Sequence, residues 1–188
     1  YNYWSSLNEN ALSYEFAVNK HHFNLLAGYS AQEYSRNYTA ANGNTFANDE
    51  IPWISAAAVT SGNSNNTAWT MASWYGRLNY SYADKYFLSA NIRRDGSSRF
   101  GNEKKYGYFP SVSAGWILSE EPFFPQSGVI SFLKLRGSYG LTGNNNIGDY
   151  TQISLMSPTN YVFSDALSQG LSITQLGNKD LTWETSKQ

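Results

Sequence analysis

Several residue types and patterns are scarce or missing in this chain. Cysteine is absent from its 188 residues, which excludes a disulfide framework and a thiolate metal site. Charged residues make up 14% of the chain, against about 25% in ordinary soluble domains. The net charge is −1 and no basic run occurs, so we expect no nucleic-acid partner. No apolar run approaches the ~20 residues of a membrane helix. A membrane β-barrel would have no such run either, because its strands give only short alternating segments.

The clearest pattern is an alternation of apolar and polar residues between positions 74 and 118. Successive side chains of a strand point to opposite faces, so each alternating run predicts a strand with one apolar face. The opposite face carries Arg77, Arg93 and Asp95, which need water or a counter-charge. A wet barrel lumen supplies both, whereas a dry sandwich core does not. The apolar positions of the three runs are Trp74, Gly76, Leu78, Tyr80 and Tyr82; Tyr86, Leu88, Ala90 and Ile92; and Val112, Ala114, Trp116 and Leu118.

The predicted connections between strands differ in length. Short turns are predicted at 19–22 and 83–85 and a medium connection at 120–131, whereas long loops are predicted at 36–66, 96–108 and 142–178. Short turns at one end and long loops at the other are typical of outer-membrane barrels. A secreted or surface β-sandwich that binds glycans or acts as an adhesin is the alternative. In a barrel the apolar faces of the strands contact lipid, whereas in a sandwich they contact a second sheet.

Few residues suit catalysis or metal binding. His21 and His22 are adjacent, so they should point apart, and Glu120 and Glu121 precede a proline in a predicted solvated turn. The loop 143–149 has oxygen ligands and glycines, but it lacks the alternating acids of a calcium site, and Asx turns are the better interpretation. We therefore predict no catalytic residue, no metal and no cofactor, and a hydrolase would require a carboxylate pair converging in a cleft.

Aromatic residues, 16% of the chain, are better candidates for binding. Those in or beside the long loops are predicted to stack on sugar rings of a substrate, or else to pack the loops or sit in an aromatic girdle. Others are predicted to face lipid near the membrane interfaces, where amphipathic rings are favoured. Arg94 shares their outward parity at a strand end, where it can snorkel to headgroups. The loop set is Tyr38, Trp53, Trp69 and Tyr161, and the lipid-facing set is Tyr80, Tyr82, Tyr86, Trp116 and Trp183.

Four blocks of the sequence, taken in order, resemble one known family. They are RLNYSYADKYFLSANIRRDGSSRFG, FPSVSAGWILSEEPFF, LKLRGSYGLTGNNNIGDY and LGNKDLTWETSKQ, and they are similar to the SusC/RagA group of TonB-dependent outer-membrane transporters. The resemblance covers residues 67–188 well and 11–35 more loosely. It implies an all-β fold, namely an antiparallel transmembrane β-barrel segment. This segment would supply about seven of the roughly 22 strands of the whole barrel.

The resemblance also implies a function and partners. A transporter of this group imports oligosaccharides, or sometimes peptides, across the outer membrane of a Bacteroidetes-type bacterium. It works with a SusD-like surface lipoprotein, and the TonB complex energises it through a segment that we expect outside this chain. We expect residues 1–188 to be part of the barrel domain, with the plug and the other strands elsewhere. The inward charges, expected to pair with the plug or line the substrate path, are Arg77, Arg93, Asp95, Lys134 and Arg136.

Overall fold

The described part of the chain consists of β-strands joined by turns, loops and two short 3₁₀ helices, Ile54–Ala56 and Leu118–Glu120. The computed structural model describes residues 1–125 and 129–188, so part of the predicted connection 120–131 lies outside the described residues. Within those ranges, no helix is long and apolar enough to cross a membrane. The strands are β1 Asn2–Val18, β2 His21–Phe46, β3 Ala57–Tyr82, β4 Tyr86–Ser97, β5 Tyr106–Ile117, β6 Lys134–Asn144, β7 Leu155–Phe163, β8 Ala166–Gln175 and β9 Glu184–Lys187.

Seven of these strands form one antiparallel sheet in the order β1-β2-β3-β4-β5-β6-β9, and β7 pairs with β8 in a separate hairpin. The predicted all-β fold of about seven neighbouring strands is therefore confirmed. Tight turns join β1 to β2 and β3 to β4 at one end of the sheet. Between β3 and β4 the Lys85 amide donates to the Tyr82 carbonyl at 3.1 Å. Ala83 and Asp84 both have positive φ there, the backbone that a type I′ hairpin turn requires.

The predicted long loop 36–66 is wrong, because most of it is strand. β2 continues to Phe46 and β3 begins at Ala57, so the connection is only 47–56. The alternation disappears here because small polar residues such as Asn66 occupy both faces. Asn66 Nδ2 donates to Asn37 Oδ1 at 2.7 Å, so side-chain bonds between the strands replace apolar packing. Likewise, the predicted loop 142–178 contains the β7–β8 hairpin.

The strand register groups side chains into rows that cross the sheet, because directly paired residues lie on the same face. The two kinds of row alternate along the strands, so the sheet has one polar face and one apolar face. A polar row consists of Glu15, Asn24, Asn79, Ser89, Ser113 and Ser138. The adjacent apolar row consists of Tyr14, Leu25, Leu78, Ala90, Val112 and Tyr139.

The polar face is the sheltered one. All six residues of the polar row line a trough of about 1130 Å³, so the sheet is concave on this side. The apolar face is exposed instead, with Leu12 at 76% and Ile92 at 55% accessibility. Among the described residues no second sheet covers that face, as the topology and exposures both show. This arrangement overturns the alternative of a β-sandwich, which would bury its apolar faces in a dry core.

Candidate functional site

The concave face carries the charges that the sequence predicted to point inward. The Arg93 Nε–Asp95 Oδ1 distance is 2.7 Å, and Arg93 Nη2 donates to Ser73 Oγ at 2.9 Å. Asp95 is only 8% exposed, so this pair is part of the wall itself. The other three predicted residues lie on the same face, as the strand register and the lining of the trough show. Within the described residues none of them forms an ion pair: Arg77, Lys134 and Arg136. Lys134 and Arg136 line the trough with a single carboxylate, Glu15, so its lining carries one surplus positive charge.

A small hydrophobic cluster lies at the long-loop end of the polar face. We call it the loop cluster; its buried members are Phe100, Phe109 and Trp183, and Met71, Ile147 and Leu181 pack against them. The Trp183 ring centroid lies 5.3 Å from those of both Phe100 and Phe109. Its indole Nε1 donates to the Lys105 carbonyl at 2.9 Å. Residues far apart in the sequence thus share the main buried apolar contact of the described chain.

The predicted lipid-facing position of Trp183 is wrong. Trp183 precedes β9, so strand parity does not apply to it, and its ring is buried against loop residues. The contact depends on the lack of a side chain at Gly107, which lies in β5 although the sequence placed it in the predicted loop 96–108. A Cβ at Gly107 would lie 2.5 Å from Phe109 Cζ and 3.0 Å from Trp183 Cγ. An interior strand glycine often marks such a close approach.

Polar contacts tie the same loops to the sheet. The Arg99 Nε–Asp149 Oδ1 distance is 2.8 Å, and the Arg99 guanidinium lies 5.2 Å from the Trp69 ring centroid. Tyr150 Oη accepts a bond of 3.0 Å from the Ala68 amide, and Gln152 Nε2 donates to the Ser98 carbonyl at 3.2 Å. The connection after β4 and the segment after β6 are therefore held together above the polar face.

The loop 143–149 contains the predicted Asx turn, because the Asn146 amide donates to Asn144 Oδ1 at 2.9 Å. Its acid, Asp149, is engaged by Arg99. Throughout residues 1–125 and 129–188, no three His, Asp or Glu side chains are grouped to hold a metal ion. His21 and His22 lie on opposite faces, as expected of neighbours in a strand, and His21 Nδ1 lies 2.9 Å from Tyr80 Oη.

The four loop aromatics predicted to bind substrate do not converge. Trp53 lies at the tip of the β2–β3 hairpin and is 71% exposed, and Tyr161 is exposed on β7. Tyr38 is instead packed against Tyr1, with ring centroids 4.8 Å apart. Trp69 lies in β3 rather than a loop, and its ring contacts Arg99 and Tyr34. Only Trp53 and Tyr161 of the four therefore present exposed rings.

Two aromatic rows cross the apolar face. The first aromatic row pairs Tyr82, Tyr86 and Trp116 at the tight-turn end, and Tyr80 lies on the same face. The second aromatic row is eight positions further along each strand and consists of Tyr29, Trp74 and Tyr108, with Arg94 between the last two. Eight residues span about 26 Å along a strand. At a tilt of about 40° this gives about 20 Å of height, comparable to the apolar band of outer-membrane barrels, about 25 Å.

Glu121 lies next to the first aromatic row. Its Oε1 accepts bonds from the Tyr86 hydroxyl at 2.6 Å and from the Trp116 indole Nε1 at 3.1 Å. These bonds, that of Tyr86 first, lower the pKa of the Glu121 carboxyl, and the charge of Lys85 adds to the effect. The sequence predicted only a solvated turn at Glu120–Glu121. The structure shows in addition that the Glu121 carboxylate binds the rings of Tyr86 and Trp116.

A test of this contact is the pH dependence of unfolding. Because the pKa of Glu121 is depressed in the folded state, its contribution is complete above the unfolded value of about 4.3 and is lost as pH falls through the folded value. We expect thermal stability below pH about 4 to fall further in the wild type than in Glu121→Gln. The Glu15→Gln variant, on the opposite face, serves as control. Parallel pH profiles for the wild type and Glu121→Gln would contradict this role.

Known proteins resemble the whole of this chain. The family model described as "TonB dependent receptor-like, beta-barrel" matches residues 1–188. TonB-dependent receptor P39 of Formosa agariphila is 41% identical over 185 residues, which cover 96% of this chain and 18% of that protein. TonB-dependent receptor SusC of Bacteroides thetaiotaomicron is 40% identical over 120 residues, covering 61% and 12%. The chain spans about a fifth or less of these relatives.

Solved structures show the same architecture. The RagAB peptide transporter superposes with a TM-score of 0.88 at 28% identity, covering 97% of this chain and 20% of that one. The RagAB peptide importer in its closed-closed state gives a TM-score of 0.83 at 30% identity with the same coverage. The exposed apolar face, the polar concave face and these matches agree on an outer-membrane β-barrel wall. The chain belongs to the TonB-dependent receptor-like β-barrel family, in its SusC/RagA group.

Proposed function

We propose that this chain is a wall segment of a TonB-dependent importer that carries oligosaccharides or peptides across the outer membrane with a SusD-like lipoprotein. The observation that supports this most directly is the inverted polarity of the sheet, apolar outside and polar on the concave side. Family membership supports active nutrient import. The relatives leave the cargo class open, since RagAB is named a peptide transporter and SusC names none.

The two faces then acquire roles. Tyr80, Tyr82, Tyr86 and Trp116 contact lipid at or near the periplasmic interface, since tight turns of such barrels face the periplasm. Water in the lumen solvates the positive residues of the trough, which meet the plug or acidic groups of cargo. These residues are Lys134 and Arg136. Arg77 lies on the same face outside the trough lining, while Arg93 and Asp95 neutralise one another. Closure of the barrel, the plug and the TonB-binding segment belong to sequence outside this chain.

The extracellular end offers the surface for cargo and lid. From Tyr29 at the second aromatic row, β2 continues 17 residues to Phe46, about 55 Å along the strand. This hairpin therefore projects well beyond the membrane and carries Trp53 at its tip. The exposed rings of Trp53 and Tyr161 suit contact with a sugar ring, a peptide or the lipoprotein. Tyr38 and Trp69 lie on β2 and β3, the strands of the hairpin that carries Trp53.

Deletion of the gene in its native host tests the function. We expect the deletion strain to lose growth on either a defined oligosaccharide mixture or a defined peptide mixture as carbon source, and to regain it on complementation. Removal of TonB should reproduce the same defect. Purification of the tagged, intact protein in mild detergent should also recover a lipoprotein. Unchanged growth on both mixtures, with an intact protein that stays soluble without detergent, would contradict the proposal.

A further inference from the structure

We propose that Arg94 forms a binding site for the phosphate of an outer-leaflet lipid on the apolar face. The inference rests on the membrane placement above. Arg94 lies on the outward face, in the row between Trp74 and Tyr108. Since the tight turns face the periplasm, the second aromatic row is at the level of the outer leaflet's headgroups. An arginine at that level meets the phosphates of anionic lipids.

Three aromatic rings hold the guanidinium of Arg94. Its Cζ lies 4.0 Å from the ring centroid of Tyr106, 5.3 Å from that of Trp74 and 5.7 Å from that of Tyr108. Such cation–π contacts orient a planar guanidinium and are stronger where water is excluded. We call this arrangement the Arg94 cage. The cage holds the Arg94 side chain in one position, whereas the sequence suggested a side chain that snorkels to the headgroups.

The Arg94 cage is built into the backbone through Gly96. Gly96 pairs with Tyr106 across the β4–β5 ladder, and a Cβ at Gly96 would lie 2.5 Å from Tyr106 Cε1. The glycine therefore leaves the space in which the Tyr106 ring lies. Any larger residue at this position would displace the ring that lies nearest to the guanidinium.

The charge of Arg94 has no partner in the described part of the chain. No carboxylate there lies within 4.0 Å of its guanidinium, and its Nε is buried without a hydrogen bond. By contrast, the neighbouring Arg93 is paired with Asp95 on the other face. A cation beside hydrocarbon requires a counter-charge. The terminal nitrogens of Arg94 suit the bidentate geometry of a phosphate.

Native mass spectrometry of the whole transporter, purified in micelles doped with monophosphorylated lipid A, tests this site. We expect the wild type to retain this lipid over zwitterionic phosphatidylcholine, and Arg94→Gln to bind it about tenfold more weakly, as loss of a charge-assisted hydrogen bond predicts. Arg77→Gln, which removes the same charge from the concave face, should bind it like the wild type. Gly96→Ala should weaken binding while leaving Arg94 in place.

Several outcomes would overturn the site. Equal retention of the two lipids by the wild type would do so without any variant, as would wild-type binding by Arg94→Gln. Inorganic phosphate that binds Arg94 as tightly as the lipid would indicate a free-anion site instead. The growth assays on oligosaccharides and peptides are a separate readout. Failure of lipid retention with import intact would therefore reject this site alone.

Discussion

Val112→Arg should destabilise the intact barrel by about 2–4 kcal/mol, the cost of an arginine on the lipid face near the bilayer midplane. Val112 is exposed on the apolar face and lies four residues from both Tyr108 and Trp116, midway between the two aromatic rows. A charge there cannot easily reach either headgroup region. The quantity to measure is the free energy of unfolding in lipid vesicles by denaturant titration. Leu88→Arg, two residues from Tyr86, should cost less because its side chain can reach the near interface.

The matched control is Ser113→Arg, one residue away on the polar row. Its side chain enters the trough, where water is accessible, so we expect its cost to be well below that of Val112→Arg. Equal costs at the two positions would mean that the two faces do not differ in solvent. Such a result would reject the assignment of lipid to one side and lumen to the other.

Phe100→Ala should cost about 3–5 kcal/mol of local stability, the usual range for removing a buried phenylalanine. Phe100 is 1% exposed in the loop cluster, against Trp183 and beside the Arg99–Asp149 pair. The cavity left behind would release the connection 98–105 and the segment 145–153 from the sheet. We expect faster proteolysis in these two loops, measured on intact protein in detergent, while the barrel strands stay protected.

Phe163→Ala removes the same ring from β7, where it is 67% exposed, and serves as the control. A substitution at such an exposed position should change stability by no more than about 0.5 kcal/mol. If Phe100→Ala and Phe163→Ala left the loops equally protected, the loop cluster would not be what holds them. The ionic and polar contacts around Arg99 would then have to carry that role alone.

Strand alternation was predictable where one face had to be apolar. From Trp74 to Trp116 the period of two identified three strands, their shared faces and the polar face on which Arg77 and Arg93 lie. The prediction of a loop at 36–66 failed because both faces of this hairpin are in contact with water. Its strands therefore do not need alternating apolar and polar residues. Its strands are recognised by ladder pairing, such as Asn37 opposite Asn66, and single-sequence patterns do not show pairing.

The sequence by itself determined the all-β character, the two faces, the end with tight turns and the family, because each depends on local order and short-range chemistry. Only the tertiary structure decided which loop residues meet. Trp183 packs with Phe100 and Phe109, and Arg99 pairs with Asp149, across separations that no local pattern encodes. It also placed Arg94 among three rings rather than free in the headgroups. The physical reason is that side-chain burial and charge pairing depend on neighbours supplied by other strands, whereas strand periodicity depends only on the residue's own backbone.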